Sequence, residues 1–342
     1  MIRQLKCAML AAVCFTIFSV CAESVKEPIV WRFGLEEIEG SVQDIYAQEF
    51  KRRIEEKSEG SVLVDIYSYG MLGESEDLTA LTALGTLQLT HASVGIIGNL
   101  VPEMQVFNIP YIYSHDDALN QSVIASNPVV YDVIGNALSD QGLHLITLYL
   151  EGDMVWSTNW EVVSPDDFKG FRMRVMNSPL LIESFRLYGA DTQILPYSQV
   201  YGALLTRIID GQTNPVFSIE EMKFYEVTGY MIWPGGHKFT TSVIANQQWY
   251  LSLSPAHKSL LRETVNELTR YIFEQQMALN KAQLTKIKLF KPHMTFITLT
   301  RNQQNAFKKL ASPLRERYIE LTGKQGERLL NALDDAFGHK QQ

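Results

Sequence analysis

The stretch FKGFRMRVMNSPLL, residues 168–181, predicts a strand that leads directly into a helix. Alternation along residues 171–175 places Arg172 and Arg174 on one face of the strand and apolar side chains on the other. Ser178 can cap the following helix, and Pro179 suits its first turn. Arg174 is therefore expected near the carboxyl end of a strand and beside a helix N-terminus. In open α/β sheets such ends bind ligands, and the free N–H groups of the helix favour an anion.

The sequence leaves two interpretations of these arginines open. A guanidinium is a planar fork that binds a carboxylate through two parallel hydrogen bonds, which favours a ligand-binding role. Alternatively, each arginine is a solvated strand residue paired with a nearby acid such as Asp166 or Asp167, because most arginines lie at protein surfaces. Residues 168–181 alone do not decide between them.

The rest of the chain alternates short apolar runs with helical patterns, which indicates an α/β protein with parallel strands. Strands are predicted over residues 30–34, 62–67, 93–97, 171–175, 215–217, 230–233, 241–245 and 294–298. Helices are predicted between Ser41 and Gly60, over residues 77–87, 179–188, 200–209 and 255–289, and within residues 301–337. The pattern over residues 255–289 is longer than an ordinary helix and is long enough to run across two domains.

The first 22 residues have the pattern of a secretory signal peptide. Arg3 and Lys6 precede an uncharged, mostly apolar run, and residues 20–22 offer a small-x-small cleavage site, so the mature chain is expected to begin at Glu23. A membrane anchor is the alternative, but the uncharged run is shorter than the roughly 20 residues of a span. A lipoprotein is a further alternative, which Val20 before Cys21 fits poorly. The expected location is the periplasm.

Composition argues against several classes of protein. All three cysteines lie in the leader, so the mature chain is expected to have neither disulfides nor a catalytic thiol. Removal of Arg3 and Lys6 changes the formal net charge from −8 to −10, which argues against nucleic acid and anionic membrane surfaces as partners. The scattered histidines form no H-x-x-x-H or H-E-x-x-H pattern, so no metal or cofactor is expected. The sequence also lacks the usual nucleophile and nucleotide motifs of an exported hydrolase.

Two further motifs are characteristic: a strand-to-helix loop, GMLGESE (70–76), and an amide-bearing turn, IIDGQTNP (208–215). They extend a series formed by WRFG (31–34), VFNIPYIYSHDDAL (106–119), FKGFRMRVMNSP (168–179) and IANQQWYLSLSP (244–255). The sequence resembles the substrate-binding subunits of tripartite ATP-independent periplasmic (TRAP) transporters, the DctP family. The resemblance covers essentially the whole mature chain.

The resemblance implies an α/β, two-lobed periplasmic binding protein (class II-like) with a central cleft and a long helix spanning both lobes. The expected lobe I is residues 23–151 plus 240–279, and lobe II is residues 152–239 plus 280–337. Such proteins are not enzymes. They close around an organic acid, a C4-dicarboxylate or a related carboxylate, and deliver it to a membrane permease driven by an ion gradient. A monomer is expected, and a subunit that presents the solute to a membrane sensor is the alternative.

The resemblance also implies a set of candidate ligand-binding residues. Arg174 matches the arginine that makes the carboxylate salt bridge, and Asn214 matches a ligand-contacting asparagine. Met154 stands where many relatives carry a second arginine, which puts a second carboxylate contact, and so a dicarboxylate ligand, in question. Two candidates are added apart from the resemblance. Glu76 lies in the strand-to-helix loop, and Trp156 is a candidate for the cleft wall, with a position in the aromatic core as the alternative.

Other polar residues near the expected cleft have open roles. Arg172 matches a position that is commonly basic without being the carboxylate clamp, so it is expected to be solvated. Glu36, Glu37 and Glu39 crowd the first strand-to-helix loop. They form either a solvated acidic loop at a helix N-terminus, where acids are favoured, or a contact for a ligand ammonium or hydroxyl group.

Overall fold

The computed structural model describes residues 27–338, and the predicted signal peptide at residues 1–22 lies outside them. Within this range the strands are β1 (Ile29–Gly34), β2 (Val62–Tyr67), β3 (Leu89–Ser93), β4 (Leu143–Asp153), β5 (Val155–Thr158), β6 (Arg172–Val175), β7 (Asp191–Ile194), β8 (Gly211–Asn214), β9 (Tyr230–Trp233), β10 (Lys238–Asn246) and β11 (Thr295–Thr298). The α-helices are α1 (Val42–Lys57), α2 (Ser75–Ala83), α3 (Val94–Ile97), α4 (Asp117–Ser126), α5 (Pro128–Ser139), α6 (Pro179–Tyr188), α7 (Val200–Leu205), α8 (Val216–Glu221), α9 (Gln247–Ser252), α10 (Pro255–Phe290), α11 (Arg301–Ala311) and α12 (Leu314–Phe337). Short 3₁₀ helices lie at Pro102–Asn108, Pro165–Phe168, Tyr197–Gln199 and Phe224–Glu226.

The first sheet has five strands in the order β2-β1-β3-β10-β4 and is mixed rather than purely parallel. β1 runs parallel to β2 and β3, whereas β10 is antiparallel to both β3 and β4. Helix α1 begins after Ser41, whose side chain accepts a hydrogen bond from the N–H of Asp44. The buried face of α1 packs with Trp31 and Phe33 of β1 in one hydrophobic core. This packing fixes the loop between β1 and α1 at the carboxyl end of the parallel strands.

The second sheet has six strands in the order β11-β9-β5-β8-β6-β7. β6 is parallel to β7 and β8, and its residue Arg174 lies opposite Gln212 of β8. β5 is antiparallel to β8 and β9. Helix α6 begins at Pro179, as predicted, and ends before Gly189, whose left-handed φ of 103° stops the helix. The carboxyl ends of β6 and β8 therefore carry neighbouring loops.

The chain passes between the two sheets more than once. β4 of the first sheet is followed directly by β5 of the second, and β9 of the second is followed by β10 of the first. The 36-residue helix α10 is about 54 Å long and packs against α1 and β4 on one side and against α8 on the other. The predicted two-lobed fold with a long helix spanning both lobes is confirmed.

The extent of each lobe outside its sheet stays a prediction. Helix α12 falls in the predicted lobe II, and it contacts α4 and α5 beside the first sheet as well as α6 beside the second. No helix among residues 27–338 is both long and apolar enough to cross a lipid bilayer.

Two strand positions predicted from the sequence are wrong. The strand expected at residues 93–97 lies at Leu89–Ser93, and the apolar residues after it form α3. The strand expected at residues 215–217 is instead the start of α8, and β8 precedes it. A short apolar run fits a buried strand and a buried helix equally well, and the polar sequence of β8 gives no apolar signal.

Candidate ligand-binding site

A cavity of about 270 Å³ lies between the strand-end loops of the two sheets. The part of the chain before β4 contributes Glu36, Glu37, Gln43, Glu74, Ser75, Glu76, Ser93 and Ile96. The second sheet and its loops contribute Arg174, Met176, Asn177, Ile194, Leu195, Pro196, Tyr197, Asn214 and Ser218, and Phe239 comes from β10. Two candidate residues from the sequence, Arg174 and Asn214, thus face the same space as the acidic loop after β1.

Arg174 is a buried cation at the carboxyl end of β6. Its side chain is 3% exposed, and Nε and Nη2 donate hydrogen bonds to the backbone oxygen of Leu195 at 3.0 and 2.9 Å. Within residues 27–338 no carboxylate forms an ion pair with it. Burial lowers the pKa of Arg174 to about 10. A buried guanidinium without a carboxylate partner is costly, so the site is prepared for an anion.

Asn214 lies beside Arg174, at the end of the neighbouring parallel strand β8. It is buried, and its side-chain amide donates to Oε1 of Gln212. Gln212 in turn donates to the hydroxyl of Ser157 on β5 at 2.8 Å. This chain of hydrogen bonds orients the Asn214 amide before any ligand arrives.

Glu36 and Glu37 form the opposite wall and are buried. Oε2 of Glu36 accepts a hydrogen bond from the N–H of Ser93 at 2.7 Å, whereas Oε1 has no partner in the part of the chain that the structure describes. Burial raises the pKa of Glu36 to about 8 and that of Glu37 to about 7. The solvated-loop interpretation is therefore wrong for these two acids, and only the exposed Glu39 fits it.

Gln43 and Glu151 support this acidic wall from behind. Oε1 of Gln43 accepts from the N–H of Glu36 at 2.9 Å, and its Nε2 donates to Oε1 of Glu151 at 3.3 Å. Glu151 is fully buried, and burial raises its pKa well above the ordinary value. No sequence pattern points to either residue, because Gln43 sits in an ordinary helix and Glu151 lies 108 positions further along the chain.

A contact between the lobes, here called the Glu74 bridge, lies at the edge of the cavity. The hydroxyls of Tyr69 and Ser198 donate to the two carboxylate oxygens of Glu74 at 2.6 and 3.0 Å. The rings of Tyr69 and Tyr197 also meet edge to face at 5.8 Å. The bridge joins the loop after β2 to the loop after β7, so it is formed only when the two lobes are close.

The remaining candidates divide into one cavity residue and two that lie elsewhere. Glu76 lines the cavity and is exposed. Met154 is buried in a small cluster with Met176 and Leu181, which places it one layer behind the cavity wall. Trp156, expected as a cleft wall, does not line the cavity and packs in an aromatic core. This correction follows from strand geometry, because alternation gives two faces of β5 without showing which one meets the helices.

Arg172 has a structural partner different from those considered in the sequence. Its Nε and Nη2 donate to the two carboxylate oxygens of Asp210 at 2.8 and 2.7 Å, and its backbone N–H donates to the same group at 2.9 Å. Neither Asp166 nor Asp167 pairs with it. Arg172 does not line the cavity, so the two arginines of the strand have separate roles.

Comparison with known proteins agrees with this architecture. The DctP family model, described as bacterial extracellular solute-binding protein, family 7, matches residues 33–321. The chain belongs to the DctP family. It is a solute-binding protein rather than an enzyme, and the predicted periplasmic location is confirmed. Among residues 27–338 no group of three or more His, Cys, Asp or Glu side chains is arranged to hold a metal ion.

Two curated members of the DctP family are similar over most of this chain. The ectoine-binding periplasmic protein TeaA of Halomonas elongata is 36% identical over 301 residues, which are 88% of each chain. The ectoine/5-hydroxyectoine-binding periplasmic protein UehA of Ruegeria pomeroyi is 35% identical over 92% of each chain.

Solved structures of the family show the same fold. The ectoine-binding protein of the TeaABC TRAP transporter of Halomonas elongata superimposes with a TM-score of 0.87 over 91% of this chain and 99% of that one, at 35% identity. An open, ligand-free TRAP solute-binding protein of Marinobacter aquaeolei VT8 gives a TM-score of 0.84 at 37% identity, over 89% and 99% of the two chains.

Proposed function

We propose that this TRAP substrate-binding protein captures a compact zwitterion, a solute with one carboxylate and one cationic nitrogen group, of which ectoine is the leading example. One observation carries the proposal: Arg174, a buried cation without a carboxylate partner, shares a cavity with the buried acids Glu36 and Glu37. Opposite charges at the two walls match a solute that carries both signs.

The Arg174 wall selects the carboxylate. The guanidinium already donates to one backbone oxygen, and a ligand carboxylate would supply the opposite charge that the protein itself withholds. Asn214 beside it adds an amide to the same end of the cavity. A neutral ligand would leave this cation buried and unpaired, at a cost of several kcal/mol.

The acidic wall disfavours a second carboxylate. An anion placed against this wall would meet the negative charge of ionised Glu37, which costs free energy in a desolvated site. Met154, which stands at the position of a second arginine in many relatives, lies behind the wall and offers no charge. The cavity therefore supports a zwitterion better than the C4-dicarboxylate expected from the general resemblance. Two relatives of at least 35% identity that are named for ectoine add support.

Capture would proceed by closure of the lobes. The solute docks on Arg174 when the lobes separate and admit water to the cavity, and closure forms the Glu74 bridge again and excludes solvent. Charge-assisted hydrogen bonds strengthen as water leaves. The ligand shifts the lobes only as far as it prefers the closed form. We propose that the closed monomer is then recognised by the TRAP permease, which an ion gradient drives; presentation to a membrane sensor is the alternative.

A thermal-shift panel tests the ligand class. The mature chain is heated with ectoine, succinate, a keto acid and a sugar acid in separate samples. A solute that binds only the folded chain raises the melting temperature. We expect the largest rise with ectoine. A rise with succinate and none with ectoine would assign a dicarboxylate and overturn the zwitterion proposal.

A further inference from the structure

The cavity is surrounded by more buried acids than one cation can balance. Glu36 and Glu37 line it, and Glu151 lies behind them. Arg174 is the one cationic side chain among the described residues that line the cavity. Three ionised carboxylates beside a single guanidinium would leave two unpaired charges in a desolvated space, so some of these acids must hold protons.

The contact between Glu37 and Glu151 shows where one proton must lie. Gln43 brings the two carboxyl groups together, because its N–H donates to Oε2 of Glu37 and its Nε2 donates to Oε1 of Glu151. The two side chains interact directly, and a hydrogen bond between two carboxyl oxygens requires a proton. Oε2 of Glu151 is buried and has no N–H or O–H donor elsewhere in the described chain. The pair therefore carries one proton and one negative charge once Glu37 is ionised.

The surroundings of the two carboxyls differ. Glu37 lines the cavity and accepts a hydrogen bond at Oε2 from the N–H of Gln43 at 3.2 Å. Glu151 lines no part of the cavity, is 0% exposed, and accepts only from the side chain of Gln43 at 3.3 Å. The negative charge is better solvated on Glu37, because a backbone amide and the cavity are both available there.

We propose that Glu151 holds the shared proton and donates it to Glu37, so that Glu37 alone presents a negative charge to the cationic group of the solute. Glu151 is then a positioning residue: it touches no ligand, and it fixes both the orientation and the ionisation of Glu37. The inference rests on the zwitterion-binding function proposed above. It leaves Glu37 as the one ionised acid on the buried wall opposite Arg174, apart from the more exposed Glu74 and Glu76, and this pair of opposite charges matches the two charges of a zwitterion.

The other groups that face the pair are compatible with this assignment. Burial raises the pKa of Glu36 to about 8 and that of Glu221 to about 9, so both are mostly uncharged at neutral pH. Burial also raises the pKa values of Tyr149 on β4 and Tyr197 in the loop after β7 well above their ordinary value. The neighbouring α10 contributes no charge here: Asn280 donates to the backbone oxygen of Glu151 at 2.8 Å.

Two substitutions of Glu151 show whether this residue acts as a proton donor or as a negative charge. In Glu151→Gln an amide N–H can replace the donated proton, so the affinity for ectoine at about pH 7.5 should fall by less than about fivefold. In Glu151→Met no donor remains, and the affinity should fall roughly 10- to 100-fold. Calorimetric titration with ectoine measures both. An equal loss in the two variants would mean that Glu151 supplies a charge, and it would overturn the proposal.

The pH dependence of ectoine affinity distinguishes the proposed role of Glu151 from a purely structural one, which would leave that dependence unchanged. Because the pKa of Glu37 is about 7, the wild-type affinity should rise from about pH 6 to about pH 8 as Glu37 becomes ionised. Loss of the donor in Glu151→Met should displace this rise to higher pH. Glu39→Gln, an exposed change in the same loop, is the matched control and should keep the wild-type profile. A Glu151→Met profile identical in shape to wild type would contradict the assignment.

Infrared spectroscopy decides the question without a ligand. The ligand-free mature chain at about pH 8, above the Glu37 pKa of about 7, should show the carbonyl stretch of protonated carboxyl groups. The difference spectrum between wild type and Glu151→Gln should contain one such band, and the difference spectrum for Glu37→Gln should contain a carboxylate band instead. The reverse pattern would place the proton on Glu37. If ectoine fails to bind the wild-type chain, the zwitterion function falls, and these spectra still test the proton assignment.

Discussion

The hydroxyl of Ser198 donates a 3.0 Å hydrogen bond to the carboxylate of Glu74, and this bond joins the two lobes at the edge of the cavity. The bond exists only in the closed arrangement, so it should stabilise the closed state without touching the solute. Ser198→Ala removes it and should speed ligand release up to about tenfold, because one hydrogen bond contributes about 0.5–1.5 kcal/mol. Stopped-flow measurement of dissociation checks this.

The matched control for Ser198→Ala is Ser252→Ala. Ser252 is an exposed serine at the end of α9, and its hydroxyl bonds only the nearby backbone oxygen of Trp249. The rate of ligand dissociation from Ser252→Ala should equal that from wild type. An unchanged rate in Ser198→Ala as well would show that the Glu74 bridge does not retain the solute.

Arg174 should lower the stability of the ligand-free protein. A buried cation without a carboxylate partner carries a desolvation cost, which a methionine of similar length avoids. Arg174→Met should therefore raise the free energy of unfolding by about 1–3 kcal/mol, the range seen when buried charges are replaced by apolar groups. Urea unfolding of the ligand-free chain measures the change.

Arg172→Met, two positions earlier on the same strand, should change stability in the opposite direction. It would leave Asp210, which is 3% exposed, without its ion-pair partner, and should cost about 1–3 kcal/mol. Destabilisation by both substitutions would show that the Arg174 cation is satisfied within the protein.

The stability of the ligand-free protein should fall as pH rises above neutrality. The pKa values of Glu37, Glu36 and Glu221 are raised from 4.5 to about 7, 8 and 9, so the folded state binds more protons than the unfolded state above about pH 4.5. For each group, the free energy of unfolding falls as the pH rises from about 4.5 to the raised pKa. The fall is up to about 1.4 kcal/mol for each unit by which the pKa is raised. Melting temperatures at about pH 5.5 and about pH 9 measure the slope.

Glu36→Gln should flatten that slope, because it removes the group with a pKa of about 8. Glu39→Gln, in the same loop but exposed, should leave the slope as it is in wild type. A melting temperature that does not fall between the two pH values would mean that the acidic wall is ionised in the folded protein.

Gly152, at the passage from the first sheet to the second, should not tolerate a side chain. Its φ is +135°, and a Cβ would lie 2.7 Å from Nδ2 of Asn280 on α10. Gly152→Ala should cost about 1–3 kcal/mol of stability. Gly135→Ala in α5, where nothing lies within 4 Å of the new Cβ, should instead add about 0.5–1 kcal/mol. Calorimetric melting of both variants compares the signs, and a stable Gly152→Ala protein would contradict the strain argument.

The sequence predicts the parts of the site that local patterns control. Alternation and the helix cap place Arg174 near the end of a strand, where ligands bind in open α/β sheets, whereas Asn214 is indicated only by the family resemblance because β8 has no apolar pattern. Their shared cavity follows from the pairing of β6 with β8. The long helix is also visible, because residues 255–289 contain no glycine and no internal proline.

Burial is the part that the sequence does not show. The loop containing Glu36 and Glu37 is placed near the cleft correctly, but its burial depends on Ser93, which lies 57 residues from Glu36, and on Glu151. The prediction for Trp156 is wrong for a related reason, because the face of β5 that meets α6 and α11 depends on tertiary packing. The proton shared by Glu37 and Glu151 is likewise invisible in the sequence, because it depends on the fold bringing the two side chains together.

Calorimetric titration of ectoine into the mature wild-type chain and into Arg174→Ala is the most direct test of the account. Removal of a buried partner of the ligand carboxylate should weaken binding by about 2–5 kcal/mol, whereas Arg172→Ala should change the affinity little. Ectoine binding by wild type that is lost in Arg174→Ala and retained in Arg172→Ala is the predicted result. Equal affinity in wild type and Arg174→Ala, or no binding of ectoine to wild type, would contradict it.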